Sequence, residues 1–221
     1  MPITHITHNV PADRVDFLIA VAEASGGRLV SRTVEPDGEF TLVFAFPDGS
    51  TTSIAHAAMP EVAFAEESGT NTPTAASAVS GDSDPAWLRI ARQELGQSER
   101  LGTADNPRIV EYHASTASGP DHDAVPWCAS FVNWCVEQAG LKGSDSKLAR
   151  SWLGWGEPIN TPRPGCLVVL ERGPAPQGHV GFFVGATPGF VRLLGGNQGD
   201  RVSIDSFSAE RVIGLRWPST R

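Results

Sequence analysis

Residues 126–140 read PWCASFVNWCVEQAG, in which apolar residues recur at helical spacing between a proline and a glycine. Proline is favoured in the first turn of a helix and glycine just after its end, so the pattern predicts a helix over residues 126–139. Cys128 then lies in the first turn, where unpaired backbone N–H groups and the helix dipole favour an anion. This position predicts a lowered thiol pKa and a nucleophilic role. The alternative is an inert apolar cysteine that packs in a stripe with Val132 and Cys135.

The segments on either side predict an α+β fold in which helices come first and strands follow. Further helices are predicted to start at the Asp84-Pro85 pair and at Arg108, and another to cover residues 144–153. From Pro164 onward, short apolar runs alternate with turn residues, which indicates an antiparallel sheet. The predicted strands cover residues 166–171, 179–186, 190–194, 202–204 and 212–217.

The second of these strands reads GHVGFFVG from residue 178 and has a period of two. One face carries three apolar residues and is predicted to point into a core (Val180, Phe182 and Val184). The other face carries His179, and glycines leave room there for a helix end or a substrate. His179 therefore fits a general base that meets the Cys128 helix on this roomy face. The alternative is a structural histidine held by hydrogen bonds.

A polar residue is expected to orient the imidazole, and the next strand supplies two candidates. This strand ends in residues 194–200, which read LGGNQGD. An antiparallel return brings that end beside the start of the His179 strand. Asn197 is therefore predicted to hold the imidazole, with Gln198 as the second candidate. The alternative for Asn197 is a turn position with positive φ.

Residues 1–67 are predicted to form a separate small α+β module. A helix at residues 11–25 is followed by strands at 28–34, 39–46 and 51–54, with turn signals between the strands. Residues 68–83 read SGTNTPTAASAVSGDS and are predicted to be a flexible linker. Residues 84–221 then make up the second domain.

The charge of the chain is negative and unevenly distributed. The formal net charge is -8, and residues 1–70 contain ten acidic residues against three arginines. This balance argues against nucleic acid as a partner, because phosphate binding needs a basic surface. It favours a basic protein as partner of the first module, which is predicted to serve docking or delivery. No apolar run approaches the ~20 residues that span a bilayer, and the start lacks the features of a signal peptide.

The three cysteines form an odd set, which argues against a disulfide scaffold. Cys128 and Cys135 lie about 10.5 Å apart along one predicted helix, too far for a bridge. A metal site built from Cys128, Cys166 and His179 is an alternative, although no CxxC or HxxxH spacing supports it. The preferred prediction contains neither a metal nor another cofactor.

Five segments together resemble the NlpC/P60 and CHAP peptidoglycan hydrolases: PWCASFVNWCVEQAG, SWLGWG, PGCLVVLERG, GHVGFFVGA and LGGNQGDRVSI. The resemblance covers roughly residues 84–218. It implies a papain-like fold and hydrolysis of amide bonds in the peptide stems of peptidoglycan. On the matching positions it implies Cys128 as nucleophile, His179 as base and Asn197 as third member. The family commonly has an acidic residue where this chain has Cys166.

Four further residues are candidates for substrate contact: Tyr112, Asp123, Trp127 and Gln198. A core position in a helix is the preferred interpretation of Tyr112, and a solvated loop that of Asp123.

The patterns together predict a thiol hydrolase, and the resemblance implies that it acts on peptidoglycan as an endopeptidase or an amidase. Cys128 attacks a carbonyl, backbone N–H groups hold the oxyanion and His179 protonates the leaving amine. A non-catalytic wall-binding module of the same fold is the alternative function. Because no signal peptide is predicted, delivery from the cytoplasm to the cell wall is expected through phage lysis or a secretion apparatus.

Overall fold

The computed structural model describes residues 3–47, 84–102 and 104–219. The first range contains strand β1 (Ile3–Val10), a 3-10 turn (Ala12–Arg14), helix α1 (Val15–Ala24) and strands β2 (Arg28–Val34) and β3 (Phe40–Phe46). These strands pair antiparallel in the order β1-β3-β2. The predicted helix and two of the predicted strands are therefore present. The predicted strand at 51–54 and the predicted linker at 68–83 lie outside the described residues.

The later ranges contain helices followed by a six-stranded antiparallel sheet, which confirms the predicted α+β class. The strand order is β4-β9-β5-β6-β7-β8. The elements are α2 (Ala86–Gln93), α3 (Pro107–Ala114), α4 (Cys128–Gln138), a 3-10 segment (Ala149–Gly154), β4 (Glu157–Pro158), β5 (Leu167–Glu171), β6 (Gly178–Thr187), β7 (Phe190–Gly195), β8 (Ser203–Ser208), a 3-10 turn (Ala209–Arg211) and β9 (Val212–Trp217).

Helix α4 is the central element of this domain. Every residue from Cys128 to Val136 is buried, because α2 and α3 cover one side of the helix and β6 covers another. A helix that is enclosed in this way needs few polar positions, which explains the nearly continuous apolar sequence of the segment. The tight packing holds the first turn of α4 at one place against the sheet.

The segment at 144–153 contains only the short 3-10 stretch, so the predicted helix there is wrong. The Asp145 N–H donates to Asn133 Oδ1 at 2.9 Å, and the Asp145 carbonyl accepts the Ala117 N–H at 3.3 Å. Asp145 also has a φ of 59°. These tertiary bonds use the groups that a helix would pair internally.

The two faces of the large sheet are covered by different parts of the chain. Val180 and Phe182 on β6 point into a core, as predicted, and this core contains the buried residues of α4. Phe183 points to the opposite face, where it belongs to a second hydrophobic cluster that includes Leu18 and Phe44 of the first module. Residues 3–47 therefore share a core with the rear of this sheet.

Arg14 adds polar contacts between the two parts of the chain. Its Nη2 donates to the carbonyl of Ala209 at 2.9 Å, and its Nη1 donates to that of Val212. Both acceptors lie next to β9 or at its start, so the arginine ties the N-terminal module to the edge of the rear cluster. A module boundary within residues 68–83 stays a prediction.

A fragment of residues 84–221 is expected to be less stable than the full chain. Its rear face would expose apolar side chains such as Phe183, Leu193 and Leu215, each worth roughly 1.5–3 kcal/mol when buried. Thermal unfolding and binding of a hydrophobic dye measure the effect. Arg14→Met in the full chain is the milder control, since it removes the hydrogen bonds and the cation–π contact of Arg14 with Phe17 but leaves the apolar rear cluster covered. A fragment with the melting temperature of the full chain would contradict the shared core.

Candidate active site

The structure places Cys128 at the first position of α4, as the sequence predicts. Its side chain is 8% exposed, and its sulfur faces the backbone N–H groups of Val180 and Ala129. Burial raises the pKa of the Cys128 thiol, and this effect outweighs the opposite effect of those N–H groups. The predicted lowering of the pKa is therefore wrong. A thiolate in this enclosed position loses more hydration than the helix terminus replaces.

His179 lies near the start of β6, is 3% exposed and has its ring centroid 5.1 Å from that of Phe207. Burial lowers the pKa of His179 to about 4, and the positive charges of Arg172 and Arg211 act in the same direction. The imidazole is therefore neutral at neutral pH. A neutral imidazole can accept a proton, which a general base requires.

The amide of Gln198, rather than that of Asn197, contacts the imidazole. His179 Nε2 lies 2.9 Å from Gln198 Oε1, while Gln198 Nε2 donates to the Ser203 carbonyl at 2.9 Å. The Ser203 carbonyl is only an acceptor, so it holds the amide with its oxygen toward the ring. His179 must then carry its proton on Nε2. Its Nδ1 has no hydrogen-bond partner among the described residues and keeps a free lone pair.

Asn197 instead connects the end of β7 to the start of α4, which corrects its predicted role. In the amide orientation that satisfies its partners, its oxygen accepts from Trp127 Nε1 at 3.0 Å and from the Trp127 backbone N–H at 3.3 Å. Asn197 has a φ of 55° and therefore occupies the positive-φ turn position that the sequence analysis gave as its alternative. The left-handed turn directs its side chain away from the imidazole and leaves Gln198 facing it.

The first turn of α4 meets the backbone of β6 directly after His179. The Cys128 sulfur faces the N–H of Val180, the next residue after His179. The register pairs His179 with Leu170, whose side chain lies on the rear face. The prediction that α4 meets the glycine-containing face is therefore wrong. Within the described residues no hydrogen bond joins the thiol and the imidazole, so proton transfer needs a side-chain rotation or a bridging water.

We expect Gln198→Ala to lower activity roughly 10- to 100-fold, as loss of a group that orients a functional histidine does. Asn197→Ala is the matched control and should affect stability more than the imidazole. The pH dependence of the rate distinguishes the two variants. The acid limb of this profile reports the pKa of His179, and only Gln198→Ala should change it. An acid limb that shifts in Asn197→Ala but not in Gln198→Ala would reverse the assignment.

Three of the predicted substrate contacts are structural residues. Tyr112 is fully buried, and its hydroxyl donates to Glu94 Oε2 at 2.6 Å. Asp123 Oδ2 accepts backbone N–H groups from two loop residues, Arg100 at 2.9 Å and Asn106 at 2.8 Å. Trp127 is also fully buried. The core interpretation of Tyr112 is confirmed, and the solvated-loop interpretation of Asp123 is wrong because its carboxylate organises that loop.

The thiol opens into a cleft of about 530 Å³ whose walls carry charges of both signs. A neighbouring cleft of about 240 Å³ is lined by His179 and Gln198. Arg172 and Asn197 line both clefts and thus mark the boundary between them. The charged residues of the larger cleft are Glu99, Lys147, Arg172 and Asp200.

The position of Cys166 argues against the alternative metal site of Cys128, Cys166 and His179. Cys166 is buried in the rear cluster with Val168, whereas Cys128 is buried in the front cluster around α4. All three cysteines are free thiols. In the part of the chain that the structure describes, no group of three or more histidine, cysteine or acidic side chains could hold a metal ion.

The candidate site lies largely within a segment that is similar to a known protein family. Residues 120–197 match the family model of the CHAP domain. The match spans roughly a third of the chain, includes Cys128, His179 and Asn197, and ends one residue before Gln198. It confirms the predicted resemblance, and a CHAP domain implies a peptidoglycan hydrolase-like function. No curated protein shows a significant match to the chain.

Two charged residues of the Cys128 cleft were not predicted from the sequence. Arg172 follows β5 in the segment LERG, and Glu99 precedes α3 in an irregular segment. Neither belongs to a pattern that predicts chemistry, and only the fold brings them beside Cys128. Among the described helices, none has the length and apolarity needed to cross a bilayer.

Proposed function

We propose that the CHAP domain hydrolyses an amide bond in or at the peptide stem of peptidoglycan by a thiol mechanism. Cys128 is the nucleophile, His179 the general base, and Gln198 the residue that orients the imidazole. The observation that carries the proposal is the convergence of three features at the start of β6: a cysteine on a helix N-terminus, a neutral histidine and an amide held by Ser203.

The reaction starts from the neutral thiol and the neutral imidazole. As Cys128 Sγ attacks the amide carbon, His179 Nδ1 takes the thiol proton, and the carbonyl oxygen becomes an oxyanion. The first helical hydrogen bond of α4 runs from Phe131 N to Trp127 O, so the N–H groups of the preceding residues are available as oxyanion donors. The imidazolium then protonates the leaving amine. Water hydrolyses the thioester with His179 again acting as base.

The mixed charges of the Cys128 cleft support a peptide substrate. A peptidoglycan stem carries amino and carboxylate groups, and a cleft with both acidic and basic side chains can bind either. The alternative, a non-catalytic wall-binding module, does not account for a neutral imidazole that is oriented by Gln198 one residue before the N–H that the thiol faces. Delivery by phage lysis or by a secretion apparatus, with a basic protein bound to residues 1–67, remains part of the proposal.

Digestion of purified peptidoglycan tests the function and distinguishes the two bond types. The wild-type chain should release soluble fragments, and mass spectrometry of these fragments identifies the new termini. Intact stems without sugar indicate an amidase, and divided stems indicate an endopeptidase. Binding to peptidoglycan without any released fragment, at enzyme concentrations equal to that of the stems, would support the non-catalytic alternative.

A further inference from the structure

Arg172 lies in the candidate active site and has no protein partner in the part of the chain that the structure describes. It is the first residue after β5, it is exposed, and it lines both the Cys128 cleft and the His179 cleft. Among the described residues, none forms a hydrogen bond or an ion pair with its guanidinium. The other basic residue of the Cys128 cleft, Lys147, is bound to Asp121 at 3.0 Å. Arg172 is therefore the cation that a ligand in this cleft can use.

The nearby carboxylates do not neutralise Arg172. Glu99 accepts a hydrogen bond from Trp127 Nε1 at 2.8 Å, and Asp200 lies beyond ion-pair distance of Arg172 within the described residues. Arg211, the neighbouring cation of the smaller cleft, donates instead to the Glu171 carbonyl at 3.0 Å. The guanidinium thus keeps its planar set of five donors for a ligand of the cleft, and a carboxylate can accept from such a set in a bidentate pair.

The positive charge of Arg172 acts on both reacting side chains. It lowers the pKa of Cys128 and that of His179. The first effect helps to form the thiolate, but the second opposes the imidazolium that forms when His179 takes the proton. An anion bound to Arg172 would remove this opposition during the reaction. The same anion would also weaken the effect of Arg172 on Cys128, so both pKa contributions become smaller when a ligand neutralises the guanidinium.

We propose that Arg172 binds a free carboxylate of the peptide stem and so positions the scissile amide at Cys128. The inference rests on the proposed function and adds a substrate preference to it. Stems carry free carboxylates on their acidic residues and at their C-termini. Because one charge-assisted pair is available only to the acidic form, the domain should discriminate between stems with free carboxylates and stems in which these groups are amidated.

Kinetics with two synthetic stem tetrapeptides test the preference, one with free carboxylates and one with all of them amidated. The wild-type chain should cleave the acidic peptide with a kcat/KM roughly 10- to 100-fold higher. Arg172→Gln should lose most of this preference through a higher KM for the acidic peptide, with a much smaller loss on the amidated one. Arg192→Gln is the matched control, since Arg192 is an exposed arginine on β7 outside both clefts and should keep the preference.

Calorimetry of the two peptides with the Cys128→Ala chain tests the carboxylate subsite separately from the proposed hydrolysis. If this chain prefers the acidic peptide and Cys128→Ala/Arg172→Gln does not, the subsite is supported even if the wild type cleaves neither peptide. Absence of cleavage of peptides and peptidoglycan overturns the proposed function alone. Two results would show that Arg172 is not a carboxylate site. Arg172→Gln could weaken binding and cleavage of both peptides equally, or it could leave both peptides unaffected.

Discussion

Replacement of Cys128 by alanine should lower peptidoglycan cleavage by roughly three orders of magnitude or more, as loss of a catalytic nucleophile does. No neighbouring group can form the thioester in its place. The cysteine is small and its sulfur faces backbone N–H groups, so alanine removes the reacting atom with little change in packing. Release of soluble fragments measures the activity, and circular dichroism and thermal unfolding report the fold.

Cys166→Ala is the control for this variant. Cys166 is also buried but lies on the rear of the sheet, with Val168 and away from the cleft. It should keep most of the activity and lose only the stability expected from a small buried cavity. If Cys166→Ala is folded and inactive while Cys128→Ala still cleaves, the site assignment is wrong.

Replacement of His179 by alanine should lower the rate by roughly two to four orders of magnitude, the usual contribution of general acid–base catalysis. The pH dependence of the wild type gives a second, sharper test. The pKa of His179 is lowered to about 4, so the base stays unprotonated as the pH falls below the usual imidazole range. The acid limb of kcat/KM should therefore lie nearer pH 4 than pH 6.5. An acid limb near 6.5 would contradict the buried, neutral imidazole.

The same shift connects His179 to stability. In the unfolded chain the imidazole titrates near pH 6.5, and in the folded chain it titrates at about 4. The unfolded state therefore binds more protons between these values, and the free energy of unfolding falls as the pH is lowered from about 6.5 to 4. His179→Gln should show a weaker fall over this range. Equal pH dependence of the two chains would show that the histidine is solvated.

Much of the framework follows from local sequence patterns. Residues 126–140 predict both the helix and the position of Cys128 at its start, because proline, helical periodicity and glycine act over a few residues. The alternating strand at His179 is predicted for the same reason, as is the packing of Val180 and Phe182 against a core. The CHAP resemblance adds the order of these motifs along the chain. Each of these inferences depends on neighbours in sequence rather than on a distant contact.

The tertiary structure decided which amide meets the imidazole and which candidate residues are buried. Asn197 and Gln198 are adjacent, and only the positive φ of Asn197 together with the Ser203 carbonyl selects Gln198. The signs of the pKa shifts were also beyond the sequence, because a helix terminus favours a thiolate while burial opposes it. The balance between the two depends on how much water the folded chain excludes. The packing of the first module on the rear sheet and the position of Arg172 between the two clefts arise in the same way, from surfaces that form only when distant segments meet.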